Sequence, residues 1–467
     1  MRDWPGSSTD AVNGMDMSTA QNRGQIVNIR FSYSVLGSKL FPCTEPFRIE
    51  TAERVQHNTP DESAAAGAPG DAPGSIQSLV AHNRGPFMIH DHMRFKKKWS
   101  LPMTRRTFIQ SGLALGLGRS VAAAVRHKGI EEAVKILTGA TDRGQVAAAV
   151  LHVVQENNSV TRAFGKAASE EAMFILGSIS KPISTTALMT LFERGEFKLD
   201  DPVKKFLPQF AGDRRESVTM RHLLTHVSGL PDQLPENNEL RSRHAPLSEF
   251  AEHVMRTPLQ FAPGSKFQYS SMAILLAARV AEKISGTEIR TLVERAVFQP
   301  LEMQHSAQGL GRFTLESMVP CQTEHAAPES GSGDPKAKDW DWNSRWWRGF
   351  GAPWGGTHAS APDLGKFLAE FLNEKGACLK PETARLMVRN HNPPGVTPRG
   401  LGWNVGSSAG SKGCSERTFG HTGSTGTIAW ADPATRTLCV VLTSLPAQAT
   451  QPHPRDLAAN AIGASTE

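Results

Sequence analysis

The order of apolar patterns predicts an α+β fold, an antiparallel β-sheet flanked by helices with a mostly helical second lobe. Three observations carry this expectation. Two apolar runs joined by a turn signal open the ordered part of the chain, helical periods fill its middle, and strand-like runs return at its end. A doubly wound α/β fold would instead alternate strand and helix throughout.

Taken in order, residues 130–137 have a helical period. Residues 145–155 and 160–166 are apolar runs separated by Glu156-Asn157-Asn158, a hairpin signal. A helix is predicted over 178–194, stopped by Gly195. Further helical stretches are expected at 220–226, 247–256, 272–284 and 287–297. Residues 324–356 read as a loop carrying Trp340, Trp342, Trp346, Trp347 and Trp354, which either wall an apolar acyl pocket or pack a core. In Ser360-Ala361-Pro362-Asp363, Ser360 is the expected N-cap and Asp363 the third helical residue of a helix running to 372. Strands are expected at 402–405, 427–431 and 437–443, followed by a short terminal helix. There is no internal repeat.

Composition narrows the class. With 39% hydrophobic and 21% charged residues, the 467-residue chain is ordinary for a globular protein. Its net charge of +6 is mild, and Lys96-Lys97-Lys98 is the longest basic run. Nucleic-acid binding needs a clustered basic face, so no nucleic-acid partner is expected. None of the five cysteines, Cys43, Cys321, Cys378, Cys414 and Cys439, forms a C-x-x-C pair. The four beyond residue 300 are compatible with two disulfides or with isolated buried thiols.

The first hundred residues differ from the rest. Residues 1–102 mix Gly, Pro, Ser, Asn, His and Arg without an amphipathic period, so disorder is the expectation. Met103-Thr104-Arg105-Arg106-Thr107-Phe108-Ile109 then precedes a weakly apolar stretch, 111–117, and Val121-Ala122-Ala123-Ala124. A basic head, an apolar middle and a small-residue cleavage site make an export signal of twin-arginine type, too short to span a membrane. Translation is therefore expected to begin at Met103, residues 103–124 to be removed, and a domain of residues 125–467 to be exported to the periplasm or beyond.

Three stretches carry chemistry. In Gly177-Ser178-Ile179-Ser180-Lys181-Pro182, Ser178 stands at a predicted helix start with Lys181 three residues on, so both face one side. A serine hydroxyl becomes a useful nucleophile beside a base, in a field that favours developing negative charge; the helix N-terminus supplies the field and a nearby amine the base. Alone, this spacing also describes a helix cap. Phe267-Gln268-Tyr269-Ser270-Ser271 holds the one tyrosine besides Tyr33, a phenol placed just before a helix. Gly420-His421-Thr422-Gly423-Ser424 precedes a strand, and its glycines let backbone approach a substrate.

The order S-x-x-K, then Tyr269 with Ser271 two residues on, then His421-Thr422-Gly423, resembles the serine β-lactamase and penicillin-binding-protein superfamily. The flanks Phe174 to Ser178, Leu199-Asp200-Asp201-Pro202-Val203 and His222 to Pro231 resemble its class C branch, with its esterases and D-alanyl-D-alanine peptidases. The similarity covers roughly residues 131–445. It implies a β-lactamase/transpeptidase-like fold and an acyl-enzyme on Ser178. It also implies that Lys181 and Tyr269 move the proton and that the backbone N–H groups of Ser178 and Ser424 form an oxyanion hole. Ser271, His421, Thr422 and Gly423 are the implied substrate-binding positions; a small-molecule or peptide acyl substrate is implied, and no metal or cofactor.

Two departures bear on substrate. Ser271 stands where this family usually has asparagine, and His421 where lysine is commoner. A serine offers no amide, and an imidazole is mostly neutral at pH 7. Ester hydrolysis is therefore the leading expectation. D-alanyl-D-alanine carboxypeptidase or weak β-lactamase activity, or a non-hydrolytic acyl-binding sensor, are the alternatives. Two other patterns are set aside. Gly406-Ser407-Ser408-Ala409-Gly410 lacks the strand-then-helix setting of a nucleophile elbow. His222 and His226 flank a leucine at 223 where a zinc helix needs glutamate.

Overall fold

The computed structural model describes residues 128–156 and 158–466. The expectations for residues 1–102, for the export signal at 103–124 and for Cys43 lie outside the described residues.

Helix α1 occupies 128–142. Strands β1 (Ala148–Gln155) and β2 (Asn158–Gly165) form the expected hairpin, in register from Ala148 opposite Gly165 to Gln155 opposite Asn158. The helical lobe follows the short β3 (Phe174–Ile175). It comprises α2 (Ser180–Glu193), α3 (Met220–Leu224), α4 (Asn237–Ser242), α5 (Leu247–Arg256), α6 (Ser271–Ser285) and α7 (Ile289–Val293). Next come β4 (Ser306–Gln308), α8 (Arg345–Phe350), β5 (Thr357–Ala359), α9 (Ala361–Asn373) and α10 (Pro381–Met387). The chain closes with β6 (Asn404–Val405), β7 (Phe419–Gly423), β8 (Thr427–Asp432), β9 (Thr437–Thr443) and α11 (Pro454–Ala464).

The main sheet has six strands in the order β2-β1-β9-β8-β7-β6, all its neighbours antiparallel; β3, β5 and β4 form a second, small antiparallel sheet. Successive side chains of a strand point to opposite faces, and here both faces are covered. Val150, Val440 and Leu442 pack with Leu364, Phe367 and Leu368 of α9. Leu151, Val153, Cys439 and Val441 pack instead with Leu137 of α1 and Ala458 and Ile462 of α11. That double burial explains why β1 and β9 read as nearly continuous apolar runs rather than alternating ones. The chain closes the sheet by bringing its last strands back beside its first, β9 pairing with β1 from Ala149 opposite Thr443 to Gln155 opposite Thr437.

Several sequence expectations are corrected. The segment 324–356 is not only loop, because Arg345–Phe350 is helical, capped by the Ser344 hydroxyl accepting from the Trp347 N–H. The stretch at 419–423, read as lying before a strand, is itself a strand; its glycines have little strand propensity, and pairing on both sides with β6 and β8 supplies what propensity does not. The helix over 178–194 divides into a 3-10 turn, Gly177–Ile179, and α2, so Ser178 precedes the α-helix. The helix over 220–226 stops at Leu224, and His226 takes a left-handed φ of 60°. Residues 287–297 form α7 and then a π-helical turn at Glu294–Phe298. Cys321, Cys378, Cys414 and Cys439 are free thiols, which decides between the two readings of those four. Among the described residues, no helix is long and apolar enough to cross a membrane.

Candidate active site

The site lies where the start of α2, the start of α6 and the β7–β8 turn meet. Gly177 has a φ of 56°, which a residue with a Cβ rarely adopts. A Cβ there would also lie 2.9 Å from Thr425 Oγ1 and 3.2 Å from Ser424 N. The glycine thus lets the chain before Ser178 press against the β7–β8 turn. Two hydroxyls pin that contact, Thr425 donating to Ile175 O at 2.8 Å and Thr427 to Leu176 O at 2.7 Å. Gly423 is required for the same reason, since a Cβ on it would sit 2.1 Å from Leu176 O. From the other side, Arg455 of α11 donates to Gly423 O at 2.6 Å and to Thr427 O at 3.0 Å.

Lys181 is fully buried, and its Nζ donates to Ser178 Oγ at 2.9 Å and to Trp354 O at 3.0 Å. One turn of helix brings the two side chains together, and a carbonyl from a distant loop fixes the amine in place. The hydroxyl of Ser180, between them in sequence, faces away. It donates to Gly177 O at 2.7 Å and accepts from the Thr357 N–H at 2.9 Å. Ser178 itself is only partly buried and lines a cleft of about 130 Å³.

Tyr269 lines the same cleft, its ring centroid 4.7 Å from Lys181 Nζ. The segment holding it is fixed by Ser270, which caps α6 by accepting from the Ala273 N–H and donates to Pro231 O at 2.7 Å. The ring rests on His226, 4.7 Å between centroids at 33°. His226 Nδ1 accepts from the Ser270 N–H at 3.1 Å. Burial, then the charges of Arg399 and Lys181, hold the pKa of His226 well below 6.5, so it packs as a neutral ring.

His421 is buried on β7, 6.1 Å from the Tyr269 ring. Its Nδ1 lies 2.7 Å from Thr422 O and its Nε2 3.4 Å from Arg399 Nη2. Nδ1–H therefore donates to the carbonyl, leaving Nε2 to accept from the guanidinium. Burial and then the Arg399 and Lys181 charges keep the His421 pKa well below 6.5. The cation in this corner is Arg399, buried, its Cζ 5.7 Å from the Tyr269 ring centroid and its pKa lowered by burial to about 10. Sequence reading missed Arg399; its setting, Pro398-Arg399-Gly400 in a loop, carries no motif.

Of the positions expected to form the site, Ser178, Tyr269, Ser271 and Ser424 line the cleft. Lys181 lies directly beneath Ser178. His421, Thr422 and Gly423 run along β7 outside that lining, His421 turned inward towards Arg399. Three tryptophans, Trp342, Trp347 and Trp354, wall the cleft while themselves buried, so they serve pocket and core at once. The two patterns set aside have other places. Ser407–Ala409 is a 3-10 turn in the β6–β7 connection, and His222 forms a capping box with Thr219 at the start of α3. Among the described residues, no three His, Cys, Asp or Glu side chains are grouped to hold a metal ion.

An antiparallel sheet with a helical lobe, a serine hydrogen-bonded to a buried lysine, and a phenol against that lysine define a serine hydrolase of the β-lactamase and penicillin-binding-protein fold. The chain belongs to the Beta-lactamase family, whose family model matches residues 130–463. It is 36% identical over 158 residues to Esterase EstB of Burkholderia gladioli, a match spanning 31% of this chain and 40% of that esterase. A protein of Salmonella enteritidis PT4 named as a D-alanyl-D-alanine carboxypeptidase is 27% identical over 312 residues, 60% of this chain and 71% of the relative. Among solved structures, EstCE1, a hydrolase with promiscuous acyltransferase activity, has the same fold. Its TM-score is 0.59 at 21% identity, covering 72% of this chain and 99% of the other.

Proposed function

We propose that this chain hydrolyses carboxylic esters or related acyl compounds through an acyl-enzyme on Ser178. The 2.9 Å contact between Lys181 Nζ and Ser178 Oγ is the observation that carries the reading. As Oγ attacks the substrate carbonyl, its proton passes to the Lys181–Tyr269 pair. Negative charge on the carbonyl oxygen is met by the backbone N–H groups of Ser178 and Ser424, each such donor contributing about 3 kcal/mol. When the carbonyl re-forms, the C–O bond to the leaving alkoxide breaks and Tyr269 returns the proton to it. Water then adds to the Ser178 ester, gives its proton to the same pair, and Oγ departs with that proton as the acid is released.

The preference for esters rests on Ser271 and His421. The first offers no amide to a peptide or β-lactam side chain, and the second is neutral and turned inward. The carboxypeptidase reading draws on the longer Salmonella match. A short-chain chromogenic ester, a chromogenic cephalosporin and a D-Ala-D-Ala peptide, each tested beside Ser178→Ala, separate the readings. Ester turnover lost in Ser178→Ala supports the proposal; a stable adduct without turnover identifies a sensor; turnover unchanged in Ser178→Ala eliminates the site. We also propose export through the signal at 103–124, which N-terminal sequencing of natively expressed protein tests. A mature form that retains residues from before Met103 contradicts it.

A further inference from the structure

Resting on that reading of Ser178, we propose that Arg241 makes the far wall of the cleft a subsite for acyl groups that end in a carboxylate, such as half-esters of dicarboxylic acids. Arg241, on α4, is 1% exposed and lines the same cleft as Ser178. Its guanidinium lies over the Trp347 ring, Cζ 4.0 Å from the ring centroid. Nε donates to Asn237 Oδ1 at 3.1 Å, and the Asn237 amide in turn donates to Glu329 O at 3.2 Å. The ring contact and this bond hold the guanidinium in place. Nη1, buried, has no hydrogen-bond partner among the described residues.

A buried cation is normally paired, because an isolated one loses hydration and gains nothing in return. This one is held in place by neutral groups and left with donors to spare. The acidic side chains on the cleft do not complete it. Asp232 Oδ1 accepts from the Ser271 N–H at 2.7 Å, where the N-terminus of α6 offsets its charge. Glu329 is only half-buried and raises the Arg241 pKa without forming an ion pair; burial has the larger effect and lowers it to about 9, so the side chain stays charged at neutral pH. Gln233 also lines the wall, its Oε1 buried and unpartnered among the described residues, and turning its amide over would present its NH2 group to the same anion. A carboxylate matches a guanidinium fork in shape and charge, and a substrate joined to Ser178 at one end can deliver one.

The test compares 4-nitrophenyl half-esters of four- to six-carbon dicarboxylic acids with the same esters capped as methyl esters, after subtracting uncatalysed hydrolysis. The expected wild-type ratio of kcat/KM, free acid over capped, is at least tenfold for the best chain length. It should fall at least tenfold in Arg241→Gln and be partly kept in Arg241→Lys. A wild-type ratio at or below one, or a ratio unchanged in Arg241→Gln, overturns the proposal. A purely structural role would lower both esters together and leave the ratio where it was, which also counts against it. Thermal shift of the wild type by glutarate but not by glutaramide needs no variant to fold and no ester to turn over. Failure of that shift overturns the subsite, whereas failure of all ester turnover overturns the reading of Ser178.

Discussion

The hydrogen bonding around Ser178 and Lys181, on the floor of the cleft, differs from that on its far wall. On the floor, Lys181 Nζ has two acceptors, Ser180 donates and accepts, and Thr425 and Thr427 bind the strand leading to Ser178. On the wall, Arg241 Nη1 and Gln233 Oε1 are buried without partners among the described residues. A satisfied network has one arrangement, as reacting atoms need; an unsatisfied one is completed by what binds. Under the function and subsite proposed above, that difference divides the groups that carry the reaction from those that select what is presented to them.

Variants that break the floor should have the largest effects. Ser178→Ala or Lys181→Ala should each lower kcat for a neutral ester by roughly 10⁴-fold, as when members of a catalytic unit are removed, and steady-state rates check this. A smaller effect should follow from Gly423→Ala. Its new methyl group meets Leu176 O, and overpacking of this kind costs about 1–3 kcal/mol, read as a lower denaturation midpoint alongside lost turnover. In the same range of stability but with a smaller loss of turnover, His226→Ala removes the ring beneath Tyr269 and the acceptor for the Ser270 N–H. Leaving that buried donor unpaired costs about 1–3 kcal/mol; the loss should show in kcat more than in KM if His226 positions the phenol.

The last expected effect on rate is none. His226 and His421 stay neutral while an ordinary histidine gains a proton near pH 6.5, so the pH profile of kcat/KM should have no step from them between 6 and 8. Stability should behave differently. Burial holds His152 and His453 to about 4 and His358 to about 3, whereas an unfolded histidine titrates near 6.5. The unfolded chain therefore binds more protons below that pH. The contribution of these residues is complete above 6.5 and is lost as the pH falls towards 4, so the urea midpoint should drop between pH 7 and 4.5.

Much of the floor was legible in the sequence because its geometry is local. Ser178 and Lys181 are three residues apart, Tyr269 stands beside its helix cap, and the β7–β8 turn is marked by glycines. The strands of the main sheet were readable where apolar runs are long, at β1, β8 and β9. Of the wall, Trp347 was among the tryptophans expected to wall a pocket or pack a core, but Arg241 and Gln233 were not legible, because they join it only through tertiary packing, and an arginine on a short helix carries no sign that its tip is buried. Arg399 escaped for the same reason. The small sheet escaped because β3, β4 and β5 are two or three residues long and are held by one another rather than by pattern.

Peptide mapping by mass spectrometry, after rapid acid quench of the protein turning over a slowly hydrolysed ester, reads the central proposition directly. The acyl mass should appear on the peptide containing Ser178, at Ser178, and should accumulate before steady state. Acylation at Ser407 or Ser408 instead, or turnover with no acylated peptide at any quench time, would contradict it.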